Sequence, residues 1–307
     1  MTMGAFSYHV LGGSTVRYAI ISDIHGNYEA LQAVLDDIDA TSETDGVPCT
    51  GIWCLGDVVG YGPDPSACVR TVREVCELSV AGNHDWGASG LVDLKEFSDL
   101  ARESLIWTSH QLQQDEKEYL NTRPDRNSVP IPEDCTLVHG SPVVPLWEYL
   151  LTPEAAALSF LSFPTRFCVV GHTHLPTIFM QEATRYTKPK LPVLAARERQ
   201  VMEFGSEEEG IVATTIEMEA LTELPPCYPI RDFPQSWWWP PEDFRAIINP
   251  GSVGQPRDGD ARAAYLIYDT DRGFLFRRVT YWIEQTIAKM RAEGFPEILI
   301  DRLKQGY

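Results

Sequence analysis

The chain has 307 residues, 44% of them hydrophobic, with 25 basic against 44 acidic side chains and a formal charge of −19. That apolar fraction supplies a large core, and the length suits a two-sheet fold that forms one unit. The acidic balance argues against an extended nucleic-acid polymer as partner, which usually meets a basic face, and no run approaches the ~18 apolar residues that span a bilayer.

Residues 1–16 are mixed and glycine-containing and read as an N-terminal extension. They show no basic region followed by an apolar core, so a cytoplasmic protein without a membrane partner is expected. Residues 18–22 are a short apolar run, a buried strand. Asp23 and His25 follow it, and at a strand end residues i and i+2 point to the same side. After Gly26 and Asn27 the spacing of Ala30, Leu31, Val34, Leu35 and Ile38 predicts a helix.

The plan then repeats. Residues 51–55 are an apolar strand, Gly56 turns, and Asp57 sits at the tip. A helix is predicted over 63–76, then a strand over 78–81 that ends in Gly82-Asn83-His84-Asp85. Residues 94–121 read as one or two helices, with His110 on their surface, and 123–133, holding three prolines, as a loop. A strand over 135–138 ends in His139-Gly140, and a helix over 153–161 opens on a proline. A strand over 167–170 ends in Gly171-His172-Thr173-His174. Five of the seven histidines therefore lie directly after predicted strands, on one sheet edge, where open α/β folds place their sites.

Beyond the last block, residues 180–244 include an acidic run at 207–209 and the adjacent Trp237, Trp238 and Trp239. Strands over 191–203 and 211–217 would pair as a hairpin. The stretch suits either a rim extension or a lid bordering the site, and it offers a surface through which copies of the chain could associate. Residues 249–259, rich in glycine and proline, suit either a hinge between strands or a turn that aims backbone N–H groups at an anion. Residues 262–268 and 274–281 read as a hairpin, followed by two helices broken at Gly294-Phe295-Pro296. The seven cysteines lack a C-x-x-C spacing and read as reduced thiols, with Cys54 and Cys168 in core strands.

The five blocks together, D-x-H, G-D, G-N-H-D, H and G-H-x-H, resemble the calcineurin-like metallophosphoesterase superfamily. The resemblance covers most of 17–175 and 245–305 and is similar to a small prokaryotic phosphodiesterase-like branch. The expected fold is a four-layer α/β/β/α sandwich of two mixed sheets flanked by helices. A single domain over 17–307 would carry an insertion at about 180–244.

The resemblance implies two divalent or transition-metal ions, Mn, Fe, Zn or similar. Asp23, His25 and His174 would hold the first and Asn83, His139 and His172 the second, with Asp57 bridging. It implies hydrolysis of a small phosphodiester, nucleotide or phosphomonoester by a metal-bridging hydroxide. His84 would serve the leaving group and Asp85 would orient His84. Arg257 and Asn27 are the candidate substrate-binding residues. A phosphoprotein phosphatase is the alternative enzyme, and a non-catalytic interaction scaffold the alternative outside enzymes.

Overall fold

The structure is a computed structural model that describes residues 15–129, 133–183, 201–202, 211–212, 226–230 and 234–307. The first sheet contains β1 (Arg17–Ile21), β2 (Gly51–Cys54), β3 (Cys76–Ser79), β12 (Ala263–Asp269) and β13 (Gly273–Val279), in the order β13-β12-β1-β2-β3. The second contains β4 (Arg126–Val129), β5 (Cys135–Val138), β6 (Phe167–Val169), β7 (Thr177–Glu182), β10 (Cys227–Pro229) and β11 (Phe244–Asn249), in the order β10-β7-β11-β6-β5-β4. Both are mixed. β1, β2 and β3 run parallel, as do β5, β6 and β11, with antiparallel strands outside them.

Alternation along the strands builds the layers. Tyr18 and Ile20 of β1 face the second sheet and pack with Trp53, Leu137, Phe167 and Ile248. Ala19 and Ile21 turn the other way, onto α1 (Tyr28–Asp45) and α2 (Pro65–Val75), through Leu31, Val34 and Val69. The C-terminal helices α7 (Ile283–Ala292) and α8 (Glu297–Gln305) join that outer layer through Ile287 and Leu299. On the far side, Cys168, Val170 and Ile247 pack against α6 (Pro153–Ser159) and Phe160. The result is the four-layer sandwich. No helix among the described residues is long and apolar enough to cross a membrane.

Three local expectations are corrected. The third strand begins at Cys76 rather than 78, because Cys76 pairs with Ile52 and an irregularity then brings Leu78 opposite Trp53. The proline-bounded loop contains β4, an antiparallel edge strand on β5, a position where neighbouring prolines cost no ladder hydrogen bond. The stretch after His174 does not border the cleft at its anchors. β7 carries the chain away from His174 and pairs with β11 from Thr177↔Asn249 to Glu182↔Phe244, so both ends leave roughly 17 Å from the histidine edge.

The tryptophans belong to that opposite edge. The Trp237 ring meets the guanidinium of Arg17, which opens β1, and that of Arg272 at 4.2 Å. Trp238 bridges Phe274 through backbone hydrogen bonds, and Trp239, 38% exposed, stacks on Tyr268 and Phe274. The described part of the segment is thus a rim extension. Within it, β8 (Val201–Met202) pairs antiparallel with β9 (Ile211–Val212). The acidic turn and the rest of that expected hairpin lie outside the described residues, as do residues 1–14.

Arg17 and Asp269 are both buried and share two hydrogen bonds, 3.2 and 3.1 Å, at this rim. Asp269→Ala removes the buried carboxylate and leaves the guanidinium to Asp45 at 3.3 Å and the Val47 carbonyl at 3.2 Å. Urea unfolding should show a loss of about 3 kcal/mol or more. A loss under about 1 kcal/mol would mean that Asp45 and Trp237 hold Arg17 without it.

Candidate metal centre

Five loops reach one edge of the sandwich. The loops after β1 and β2 are laced together by Asp23 N to Gly56 O (3.1 Å), His25 N to Asp57 O (3.0 Å) and Gly26 N to Val58 O (2.9 Å). Asn83, His84 and Asp85 open α3 (Asn83–Ser89), His139 follows β5, and His172 and His174 follow β6. The reason that Asp23 and His25 point to one place is not strand alternation. Both adopt left-handed backbone, as do Asp57, His172 and His174, with φ between 48° and 66°. Side-chain-bearing residues adopt that region at a cost of about 1–2 kcal/mol each. Such strain persists only where surrounding contacts determine it, and it gathers at functional sites.

The side chains converge in two groups that share Asp57. Ligand atoms of Asp23, His25, Asp57 and His174 lie within 4.8 Å of one another, and so do those of Asp57, His139 and His172. Asp57 Oδ2 stands 3.6 Å from His25 Nε2 and 3.2 Å from His139 Nε2. Its Oδ1 accepts the His84 N–H at 2.9 Å. Asn83 Oδ1 and His172 Nδ1 lie 3.2 and 3.1 Å from His139 Nε2. All seven residues are 4% exposed or less. Gly82 permits the approach, since a Cβ there would lie 2.0 Å from Asp57 Oδ1.

The imidazoles are aimed from behind. His25 Nδ1 bonds the Val59 carbonyl (3.1 Å), His174 Nδ1 the Gln255 carbonyl (2.6 Å) and His139 Nδ1 the Leu55 carbonyl (2.8 Å). A carbonyl only accepts, so each Nδ1 carries the proton. Burial pushes the pKa of His25 and His174 well below the usual value, and both are neutral. Their Nε2 lone pairs therefore face each other at 3.1 Å, with no hydrogen between them. A cation satisfies such a pair. The mixture of imidazole, carboxylate and amide donors fits a transition-metal ion.

Charge in the cluster points the same way. Burial raises Asp23 to about 7. Burial opposes ionisation of Asp57 as well, but His139 and His84 outweigh it and hold that carboxyl well below its usual range. Burial also opposes a charge on His139, yet Asp57 lifts that imidazole to about 9.

The remaining candidates divide. The His84 ring lies 4.6 Å from Tyr61 and 5.4 Å from Phe97, edge-on to His25, and burial lowers it to about 4. Its Nδ1 finds no hydrogen-bond partner among the described residues. Asp85 does not orient it. Asp85 Oδ1 accepts Val58 N (2.8 Å) and Val59 N (3.2 Å), and Oδ2 accepts Gly82 N (3.1 Å), so this carboxylate fastens the Asp57 loop to the start of α3.

Asn27 is also otherwise engaged. Its Oδ1 caps α1 at Ala30 N, and its amide donates to Gly254 O and Tyr281 Oη, which uses both N–H bonds. The turn after Asn249 does not aim its amides at an anion. Gly251, Val253, Gly254 and Gln255 N–H bond Asn249 Oδ1, Ser22 O, Asp23 O and Ser252 Oγ. Arg257, by contrast, lies where its charge acts on Asp23, His25, His84, His172 and His174. Two contributors escaped the sequence reading. The Gln255 carbonyl lies in a noted motif but acts through its backbone, whereas Tyr149, stacked on His172 at 4.1 Å, lies in a loop with no pattern.

Asp85→Ala strands three buried amides. The expected loss is about 3 kcal/mol, read by chemical denaturation. A loss under about 1 kcal/mol would make those bonds incidental.

Known proteins resemble this chain in sequence and fold. The family model described as calcineurin-like phosphoesterase matches residues 16–176. An uncharacterized protein of Methanocaldococcus jannaschii is 33% identical over 292 residues, 94% of this chain and 97% of that one. The crystal structure of a metallophosphoesterase from Sphaerobacter thermophilus superposes with a TM-score of 0.70 at 38% identity, covering 96% of this chain and all of that one. A symmetrical bis(5'-nucleosyl)-tetraphosphatase of Erwinia tasmaniensis is 43% identical over 68 residues, 22% of this chain and 23% of that protein. The donor set, the two-sheet frame that gathers it and the match across half the sequence agree, and the chain belongs to the calcineurin-like phosphoesterase family.

Proposed function

We propose that the chain is a dinuclear metal-dependent phosphoesterase acting on a small phosphodiester or a diphosphate-containing nucleotide. The observation that carries this reading is the pair of Nε2 lone pairs, His25 and His174, facing each other at 3.1 Å beside a carboxylate shared with a second donor group. Asp23, His25, Asp57 and His174 would hold one ion, and Asp57, Asn83, His139 and His172 the other. When bound, such a pair polarises a phosphoryl oxygen and supplies a hydroxide nucleophile at neutral pH.

The chain's own groups do the rest. The backbone carbonyls of Leu55, Val59 and Gln255 hold three imidazoles in the ligating tautomer. Arg257 offers the charge that draws the phosphate in, against a protein that is acidic overall. His84, buried with an unpartnered Nδ1 next to Asn83, is assigned to the leaving oxygen, to which it gives a hydrogen bond. The nucleotide preference is supported by the 68-residue likeness to symmetrical bis(5'-nucleosyl)-tetraphosphatases.

Two results test the reading. Protein purified without chelator and supplied with Mn should carry close to two ions per chain by elemental analysis, and Asp57→Ala should lose metal together with turnover of bis(4-nitrophenyl) phosphate. A chain that takes up none sinks the proposal. His84→Ala should keep its metal and lose about 10²–10⁴-fold in rate on an alkyl ester, with a smaller loss on 4-nitrophenyl esters, whose leaving group needs no proton. An unchanged alkyl-ester rate would remove His84 from the mechanism.

A further inference from the structure

The carbonyls that aim His25, His139 and His174 have no counterpart at His84. Its backbone N–H is fixed on Asp57 Oδ1 at the start of α3, but its Nδ1 finds no hydrogen-bond partner among the described residues. The adjacent Asp85 is turned to three backbone amides. A ring that serves one oxygen has to be kept from turning, so its direction comes from another source.

The ring is enclosed instead. Tyr61 lies against it with centroids 4.6 Å apart and planes at 48°, and Phe97 meets it edge-on at 5.4 Å and 76°. His25 closes a third side, edge-on at 4.9 Å. Gly60 lies so near the unpartnered nitrogen that a Cβ there would stand 2.4 Å from it, and its φ of 93° suits glycine. Both aromatic walls are buried, and Phe97 is braced edge-on at 5.1 Å by Trp147, from the loop after His139.

Tyr61 is the unusual member. It holds left-handed backbone, with a φ of 58°, an outlier for so bulky a side chain. Its N–H donates to Ser104 Oγ of α4 (Asp99–Gln111) at 2.6 Å, which fastens that conformation. Its hydroxyl is buried and has no hydrogen-bond partner among the described residues. Strain of this kind persists where neighbours determine it, and it gathers at functional sites. Because the hydroxyl engages nothing, the part that the strain places is the ring, and that ring faces His25 and His84.

We propose that Tyr61 and Phe97 are positioning residues that aim His84 by shape, in place of the hydrogen bond that its Nδ1 lacks. The inference rests on the phosphoesterase reading, in which His84 serves the leaving oxygen, and deepens it. The walls act through their volume, so loss of a ring matters and loss of the Tyr61 hydroxyl does not.

Tyr61→Asn removes the ring and supplies a residue that tolerates left-handed backbone. In the full-length, Mn-loaded protein, kcat on an alkyl ester should fall about 10–100-fold. The fall should be smaller on 4-nitrophenyl esters, with KM and the Mn content unchanged. In a His84→Ala background the same substitution should change kcat by less than about twofold, since the wall acts through that ring. The conservative Tyr61→Phe should restore the rate, and Phe97→Leu, which opens the other wall, should repeat the leaving-group pattern. An equal loss on both esters overturns the proposal, as does a loss that adds in full to that of His84→Ala. A Tyr61→Phe as slow as Tyr61→Asn also overturns it, because the hydroxyl would then be the acting group. A crystal structure of Mn-loaded Tyr61→Asn reads the same question without turnover. The His84 ring should adopt more than one orientation while the metal ligands stay in place, and a single unmoved ring overturns the proposal. If the unmodified protein binds Mn yet hydrolyses no ester, the phosphoesterase reading fails, and that structure still decides whether Tyr61 aims the ring.

Discussion

Everything at this site depends on where Asp57 is held. One of its oxygens faces His25 on one side and His139 on the other, while the second accepts the His84 amide. A carboxylate in that position lets two donor groups share one centre. Its placement is determined several times over. A left-handed φ of 51° turns it inward, Gly82 clears its path, and Asp85 clamps the amides of the next two residues. The two-sheet frame brings β2 beside β1 and the His139 loop across the inter-sheet core, so that donors from both sheets meet at one oxygen.

The strained backbone and the rigid frame are two aspects of one design. Five ligand residues adopt conformations that a free loop would leave. What keeps them there is a lattice of backbone hydrogen bonds from loop to loop, anchored by strands buried on both faces. The turn after Asn249 contributes through Ser252 Oγ and Gly254 N on the Asp23 carbonyl and through Asn249 Nδ2 on Gly171 O. That turn acts as a buttress to the first and last ligand loops, and its Arg257 faces the cluster.

Much of this was legible in the sequence. The apolar runs before the ligand blocks are strands, those of β1, β5 and β6 buried on both faces, and the helix over 28–45 follows its apolar spacing. The ligands could be named because each stands where a strand gives out. What could not be read was set by distant partners. Asn27 looked free for substrate until its amide met residues 227 and 254 positions away. Asp85 looked like a partner for His84 because the two are adjacent, yet its acceptors face amides across the next loop. β4 was hidden by the prolines around it, which an edge strand tolerates. For the tryptophans the sequence left both a rim extension and a lid open, and only the antiparallel pairing of β7 with β11 carries the segment's ends to the opposite rim.

The most direct measurement is a crystal structure of the Mn-loaded protein with data at the Mn absorption edge. Two anomalous peaks roughly 3.5–4 Å apart, on either side of Asp57 Oδ2, with His25 and His174 on one and His139 and His172 on the other, are the predicted result. A single peak, or peaks away from Asp57, would contradict the account.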